Sequence, residues 1–110
     1  MQSKLNQSMK RDTHKTDVIF RYDTTKGFNG TIFALFPHEV CDSAGNVTSY
    51  QHVGQHGSAD YNWSVYKSRL AKPNEYADLK TELEGLGYNL NVVYKQNKDK
   101  YIKSLKEVRK

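Results

Sequence analysis

Residues 30–36 read GTIFALF, and most of this run is apolar at consecutive positions rather than at every second one. A strand with one exposed face alternates between apolar and polar residues, whereas a strand that is apolar on both faces belongs inside a sheet. The segment therefore predicts a central strand. A chain of 110 residues has room for one domain around such a strand, with flanking arms.

Two further strands are predicted next to this one. Residues 17–22 place Val18, Phe20 and Tyr22 in alternation, which is strand periodicity. Pro37 is expected to end the central strand because it has no N–H to donate to a ladder. After a turn-forming loop, residues 47–53 predict a third strand, antiparallel to the second as in a hairpin.

The clearest helix is predicted over residues 73–86. Pro73 is a favoured first helical residue, and Gly87 is the expected left-handed residue after the helix. Four apolar residues recur with helical spacing: Tyr76, Leu79, Leu83 and Leu86. A last strand at residues 88–94 follows, and residues 99–108 predict an amphipathic helix with lysines on its outer face.

The predicted fold class is α+β, with a small, mainly antiparallel sheet in the order β-β-β-α-β, covered by one helix. A basic C-terminal helix and a mobile N-terminal arm complete the expectation. Two segments stay open: residues 61–71 fit either an irregular connection or a short edge strand, and Gly54–Asp60 reads as a glycine-flanked loop. Within that loop, His56 is either a contact residue or a side chain that caps backbone groups of the fold.

Charge divides the chain into three parts. Residues 1–15 carry a net charge of +3, residues 16–94 a net charge of −3, and residues 95–110 a net charge of +5. We predict a basic flexible arm, an α+β core domain and a basic amphipathic C-terminal helix or tail with these boundaries. Clustered Lys and Arg gain affinity by displacing counterions from phosphates, so the arms indicate a polyanionic partner.

The sequence also indicates the cellular compartment. The single cysteine, Cys41, excludes an intramolecular disulfide framework and fits a reducing environment. No apolar run follows the basic residues of the N-terminus that would serve as a signal peptide. No stretch approaches the length of a membrane span. We expect a cytoplasmic protein that is not associated with a membrane.

No pattern in the chain indicates catalysis, a metal or another cofactor. His52 and His56 are four apart, but the glycines between and beside them exclude the helix on which that spacing would form a metal site. A lone cysteine after a strand is usually an inert small residue, so Cys41 is not expected to be a nucleophile. The prediction is a protein that is not an enzyme, needs no cofactor and has no evident small-molecule substrate.

Two groups of residues are predicted to contact partners. The basic residues expected to bind nucleic acid are Lys10, Arg11, Lys95, Lys98, Lys100, Lys103, Lys106 and Arg109. Aromatic residues interleaved with basic ones can stack on unpaired bases or anchor a protein interface. They can also be core aromatics beside lysines whose stems cover apolar surface, which is the commonest case. The candidate partner-binding residues, including two from the glycine-flanked loop, are Gln55, His56, Tyr61, Trp63, Tyr66, Lys67 and Arg69.

Four segments carry a resemblance to small uncharacterised proteins of Bacteroidota plasmids, prophages and conjugative elements: Phe33–Pro37, Thr48–Gly57, Glu75–Lys80 and Leu86–Tyr88. The resemblance covers about residues 17–94, and the SYxHxGQHG-like segment is its most specific part. Those relatives usually place Thr before the helix proline, where this chain has Lys72. The family has no established chemistry, so the resemblance implies only an accessory gene of mobile DNA.

Small, motif-poor proteins in that setting often bind host machinery stoichiometrically. We therefore expect a non-enzymatic mobile-element or phage accessory protein that binds a host nucleoprotein. The most concrete target is an RNA-guided CRISPR nuclease, with the protein acting as an anti-CRISPR inhibitor. The alternative is a sequence-tolerant RNA- or DNA-binding domain that acts through its basic arms.

Overall fold

The computed structural model describes residues 15–51 and 55–110, and residues 1–14 and 52–54 lie outside this description. The strands are β1 (Thr16–Asp23), β2 (Ile32–Val40), β3 (Val47–Gln51), β4 (Gln55–Ala59), β5 (Ser68–Leu70) and β6 (Leu90–Val92). The helices are α1 (Tyr61–Tyr66), α2 (Pro73–Gly85) and α3 (Lys98–Val108). The predicted α+β class is confirmed.

The strands form one mainly antiparallel sheet in the order β4-β3-β2-β1-β5. Strand β6 joins it by pairing parallel to β1, with Thr16 opposite Leu90. Strand β5 pairs antiparallel with the other end of β1, where Arg21 lies opposite Leu70. The two short strands thus follow one another along β1, and β4 forms the opposite edge of the sheet.

Two hydrophobic clusters lie on opposite faces of this sheet. Even-numbered residues of β1 and β2, such as Phe20 and Phe36, pack with Leu79 and Leu83 of α2 on one face. Odd-numbered residues, such as Ile19 and Leu35, form the other cluster, against which side chains of α1 and α3 pack. Because β2 contributes to both clusters, the prediction of a central strand is confirmed, although the strand starts at Ile32 rather than at Gly30.

Strand β2 does not end at Pro37, so that prediction is wrong. The strand continues to Val40, and its pairing with β3 shifts register between Phe36 and Val40. An irregularity of this kind is one of the few places where a sheet accommodates a residue without an N–H. The continuation matters for the candidate site, because it carries His38 and Val40 under helix α3.

The prediction of a glycine-flanked loop at residues 54–60 is wrong for residues 55–59, which form strand β4, with His56 opposite Tyr50 of β3. Residues 61–71, predicted as a connection or edge strand, contain the short helix α1 and then the edge strand β5. Asp60 starts α1, since its side chain accepts a hydrogen bond from the Trp63 N–H at 3.0 Å.

Helix α2 starts at Pro73 as predicted and ends one residue earlier than expected, before Leu86. Gly87 has φ of +107°, the left-handed conformation predicted for it. Leu86 was expected on the apolar stripe, but it lies 57% exposed at the end of the helix. The last predicted strand is shorter than residues 88–94 and comprises only Leu90–Val92.

The start of α2 is tied to β5 by an ion pair. Arg69 donates two hydrogen bonds to the Glu75 carboxylate, at 2.8 and 3.0 Å, and its guanidinium lies 3.8 Å from the centre of the Tyr22 ring. Glu75 also accepts from the Lys72 N–H at 2.8 Å, so a carboxylate of the first helical turn bonds back to the N-cap backbone. These bonds from Arg69 and Lys72 lower the pKa of Glu75 from 4.5 to about 2.

We predict that Glu75 titrates with a midpoint near its lowered pKa of about 2 in a side-chain carbon NMR titration. Because the pKa of Glu75 is lower in the folded state, its carboxylate contributes to the free energy of unfolding. This contribution is fully present above pH 4.5 and is lost as the pH falls toward about 2. Arg69→Gln is the matched control, and it should move the midpoint upward toward 4.5. A midpoint near 4.5 in the unsubstituted protein would contradict this arrangement.

Candidate partner-binding face

Helices α1 and α3 lie side by side on the same face of the sheet, and we call their outer surface the α1–α3 face. Tyr61 of α1 and Tyr101 of α3 pack on the same hydrophobic cluster. The Gln96 N–H donates to the Tyr61 hydroxyl at 3.0 Å, which joins the starts of the two helices. A cleft of about 180 Å³ lies between these starts, next to the turn that contains Gly45.

The most prominent feature of the α1–α3 face is a stacked aromatic pair. Trp63 and Tyr66 are 57% and 80% exposed, and their ring centroids are 5.7 Å apart with planes inclined by 28°. Tyr61 and Val65 point inward from the same short helix, so helical geometry directs the pair outward. The predicted residues Trp63 and Tyr66 are therefore available for contact.

Other predicted contact residues are used inside the fold. Tyr61 packs on the sheet, and Arg69 is held by Glu75 and Tyr22. Lys67 pairs with Asp23 at 3.2 Å. Because Asp23 is only 4% exposed and also accepts from the Thr25 N–H, this ion pair anchors the end of α1 to β1.

His56 does not lie on the α1–α3 face. Both Gln55 and His56 belong to edge strand β4, and the His56 side chain lies with α2 on the other face of the sheet, while the Gln55 side chain is outside the described part of the structure. The His56 ring packs edge-on against Tyr50, with centroids 4.7 Å apart, and its Nε2 lies 2.9 Å from the Tyr88 hydroxyl. Tyr50 in turn donates to Glu82 of α2. His56 is nevertheless exposed, and these contacts are with the side chains of Tyr50 and Tyr88 rather than with backbone groups.

The basic residues of the C-terminal segment fall into two groups. Lys100 pairs with Asp17 at 3.2 Å, and Arg109 donates to the Ser43 carbonyl at 3.0 Å. Four exposed lysines have no such contact within residues 15–51 and 55–110: Lys95, Lys98, Lys103 and Lys106. Lys10 and Arg11 lie outside the described residues. Helix α3 thus presents a basic surface on the same side of the sheet as α1, which carries the aromatic pair.

A hydrogen-bonded cluster fixes the start of α3 on the sheet. The Nε2 atom of His38 accepts from the Asn97 N–H at 2.7 Å, so the ring proton lies on Nδ1, which donates to Asp17 at 2.9 Å. Asp17 also accepts from Asn91 at 2.9 Å. Burial raises the pKa of Asp17, but the bonds from Asn91, Lys100 and His38 outweigh it and lower the pKa. Because both His38 nitrogens are engaged, this Asp–His pair positions the helix and offers no free base.

A buried arginine supports α1 from below. Arg21 is 7% exposed, and its guanidinium donates to the Val65 and Ser68 carbonyls at 3.1 and 2.8 Å. It also donates to the Ser68 hydroxyl at 2.8 Å. Carbonyls at the end of a helix carry partial negative charge, which a cation stabilises. The sequence signal that was available is Arg21 itself, a charged residue between the apolar residues Phe20 and Tyr22 of β1.

The remaining residues considered for catalysis or metal binding are Cys41 and the histidines. Burial and the neighbouring Asp42 raise the pKa of the Cys41 thiol, which disfavours the thiolate needed for nucleophilic attack. The Cys41 sulfur donates to the Asn46 carbonyl at 3.4 Å. Among the described residues, His, Cys, Asp and Glu side chains form no group arranged to hold a metal ion. His52 lies outside that part of the chain.

Comparison of the chain with known protein families, characterised proteins and solved structures finds no match. Within the described ranges, no helix combines the length and apolar character needed to cross a membrane. Because the comparisons find no match, the function proposed for the chain rests on the geometry of the α1–α3 face.

Proposed function

We propose that this chain is a non-catalytic binding protein that docks on a host nucleoprotein through its α1–α3 face. The observation that carries the proposal is the exposed Trp63–Tyr66 stack on α1, which lies on the same side of the sheet as helix α3. Three exposed lysines of α3 pair with no acidic side chain among the described residues: Lys98, Lys103 and Lys106. The aromatic pair would anchor the protein component, and the lysines of α3 would lie near nucleic-acid phosphates.

The aromatic pair has the properties of an interface anchor. Trp and Tyr dominate binding energies because they bury a large area with little loss of side-chain freedom. Stacking of Trp63 on Tyr66 reduces that freedom before a partner arrives. Asp60 at the start of α1 and Arg21 at its end hold the backbone that carries both rings. The surface is therefore preorganised.

The lysines support the nucleic-acid part of the proposal. Lys100 is neutralised by Asp17, whereas Lys103 and Lys106 are three residues apart on the exposed side of α3. Residues with this spacing lie on neighbouring positions of a helix surface, so both ammonium groups can approach one phosphate backbone. Lys95 and Lys98 add charge before and at the start of the same helix.

The concrete form of the proposal is an anti-CRISPR accessory protein of a mobile element that inhibits a guide-loaded nuclease in the cytoplasm. The net charge of −3 over residues 16–94 suits a basic groove, while the basic C-terminal segment suits guide RNA. Such an inhibitor acts by occupancy, so its effect saturates at about one copy per target and shows no turnover. If a small fraction of one equivalent inactivated the target, an enzyme would have to be sought instead.

The alternative function, a plain RNA- or DNA-binding domain, predicts a distinct salt dependence. Four lysines on the phosphates of a single strand give a slope of about −3 for log K against log salt. The measurement is fluorescence anisotropy with a labelled single-stranded RNA over a series of salt concentrations. Nucleoprotein docking predicts weak RNA binding and a shallower slope for the complete complex.

The double variant Lys103→Gln/Lys106→Gln separates the two functions. A plain nucleic-acid-binding domain should lose about 1.5 units of that slope, because two phosphate contacts disappear. Docking through the aromatic pair should tolerate the same change with less than about a tenfold loss of nucleoprotein affinity. Tight RNA binding that the double variant abolishes would favour the alternative and contradict the proposal.

A further inference from the structure

Strand β4 is a free edge of the sheet. It pairs with β3 along all five residues, from Gln55 opposite Gln51 to Ala59 opposite Val47. It is the terminal strand in the sheet order, and within the described residues no other strand pairs with its outer side. An edge of this kind presents unpaired backbone N–H and C=O groups that can pair with another strand.

The two edges of the sheet differ in how they are protected. Strand β5 has three residues, including Arg69, and a short charged strand discourages pairing. Strand β4 has five residues, QHGSA, with no Lys, Arg, Asp, Glu or Pro among them. Natural monomers usually place charge, proline or a bulge on such an edge. The absence of charged residues and proline from β4 indicates that this edge pairs with another strand.

The edge is also accessible. Helix α2 packs over β1 and β2, and α3 packs over β2, so the main helix contacts lie away from β4. His56, Gly57 and Ser58 are exposed, and the His56 ring is turned toward Tyr88 on one face of the sheet. A second strand can therefore approach in the plane of the sheet.

We propose that β4 pairs antiparallel with β4 of a second copy of this chain, which joins two sheets across a two-fold axis near Gly57. A neutral strand suits its own copy, because antiparallel self-pairing would otherwise bring like charges together. The axis places His56 of one copy opposite Ser58 of the other, and Gly57, the smallest residue, lies at the closest approach. This dimer leaves the α1–α3 face free, so it adds to the proposed function and does not depend on it.

Sedimentation velocity of the full chain over a wide range of protein concentrations tests the proposal. A five-residue edge contact is small, so we expect a reversible dimer whose population rises with concentration. Ser58→Lys should raise the dimer dissociation constant about tenfold, because this register places the two new charges at diagonal positions on either side of the axis, within reach of long side chains, where like charges repel. Thr81→Lys is the matched control, since it adds the same charge at an exposed position of α2 and should leave dimerisation unchanged.

Charge reversal makes the test specific to pairing between copies. The Ser58→Lys and Ser58→Glu variants should each dimerise weakly alone and associate with each other when mixed. Circular dichroism would establish that both variants are folded. A protein that stays monomeric up to millimolar concentration would overturn the proposal, as would a dimer that both charged variants retain.

Discussion

Replacement of Trp63 by alanine is expected to weaken binding to the nucleoprotein by about 2–4 kcal/mol, at least a 30-fold loss of affinity. The indole is 57% exposed in the free protein, so its truncation removes contact area for a partner without opening a cavity in the core. The free energy of unfolding should change by less than about 0.5 kcal/mol. Titration calorimetry and urea unfolding measure the two quantities.

Two variants make this expectation specific. Tyr66→Ala removes the other half of the stack and should weaken binding as well, with less than additive loss in the double variant because the rings contact each other. Leu86→Ala truncates another exposed apolar side chain, at the end of α2, and should leave binding unchanged. Normal binding by Trp63→Ala would remove the aromatic pair from the interface.

Replacement of Arg21 by alanine is expected to lower the free energy of unfolding by about 2–4 kcal/mol. The change leaves the Val65 and Ser68 carbonyls without their donor and empties space below α1. Urea denaturation gives the magnitude. Arg21→Lys keeps the charge but supplies fewer donors. It should therefore lower the free energy of unfolding by less than Arg21→Ala does.

The same variant links stability to the binding face. Because Arg21 holds the end of α1, Arg21→Ala should increase hydrogen exchange of the α1 amides before it affects β2. Ser68→Ala removes one acceptor of the Arg21 side chain and serves as a milder control. If Arg21→Ala lowered the free energy of unfolding by less than about 0.5 kcal/mol, the buried guanidinium would not support α1.

Local patterns predicted the elements whose determinants are short in range. The two-sided apolar run of β2 and the left-handed Gly87 at the end of α2 are each specified by a few adjacent residues. Helix α1 was not predicted, because six residues are too few for a helical period to be recognised. Its stability depends on Arg21, which is 44 positions from Val65 in the chain.

The candidate site was predicted in part for the same reason. Trp63 and Tyr66 were among the expected contact residues, and both are exposed. Lys67 and Arg69 were expected to contact a partner as well, yet Asp23 of β1 engages Lys67 and Glu75 of α2 engages Arg69 within the fold. Strand β4 was read as a loop because glycine and small polar residues have low strand propensity, whereas pairing with β3 decides its conformation.

The most direct test of the proposed function is a titration of a purified, guide-loaded CRISPR nuclease from a Bacteroidota host with this protein. Cleavage of a matched DNA target is measured at nuclease concentrations well above the expected dissociation constant. The proposal predicts a linear fall in activity that ends at about one equivalent, and a shallower, curved fall that is incomplete at one equivalent for Trp63→Ala. Full cleavage in the presence of a large excess of folded protein would contradict it.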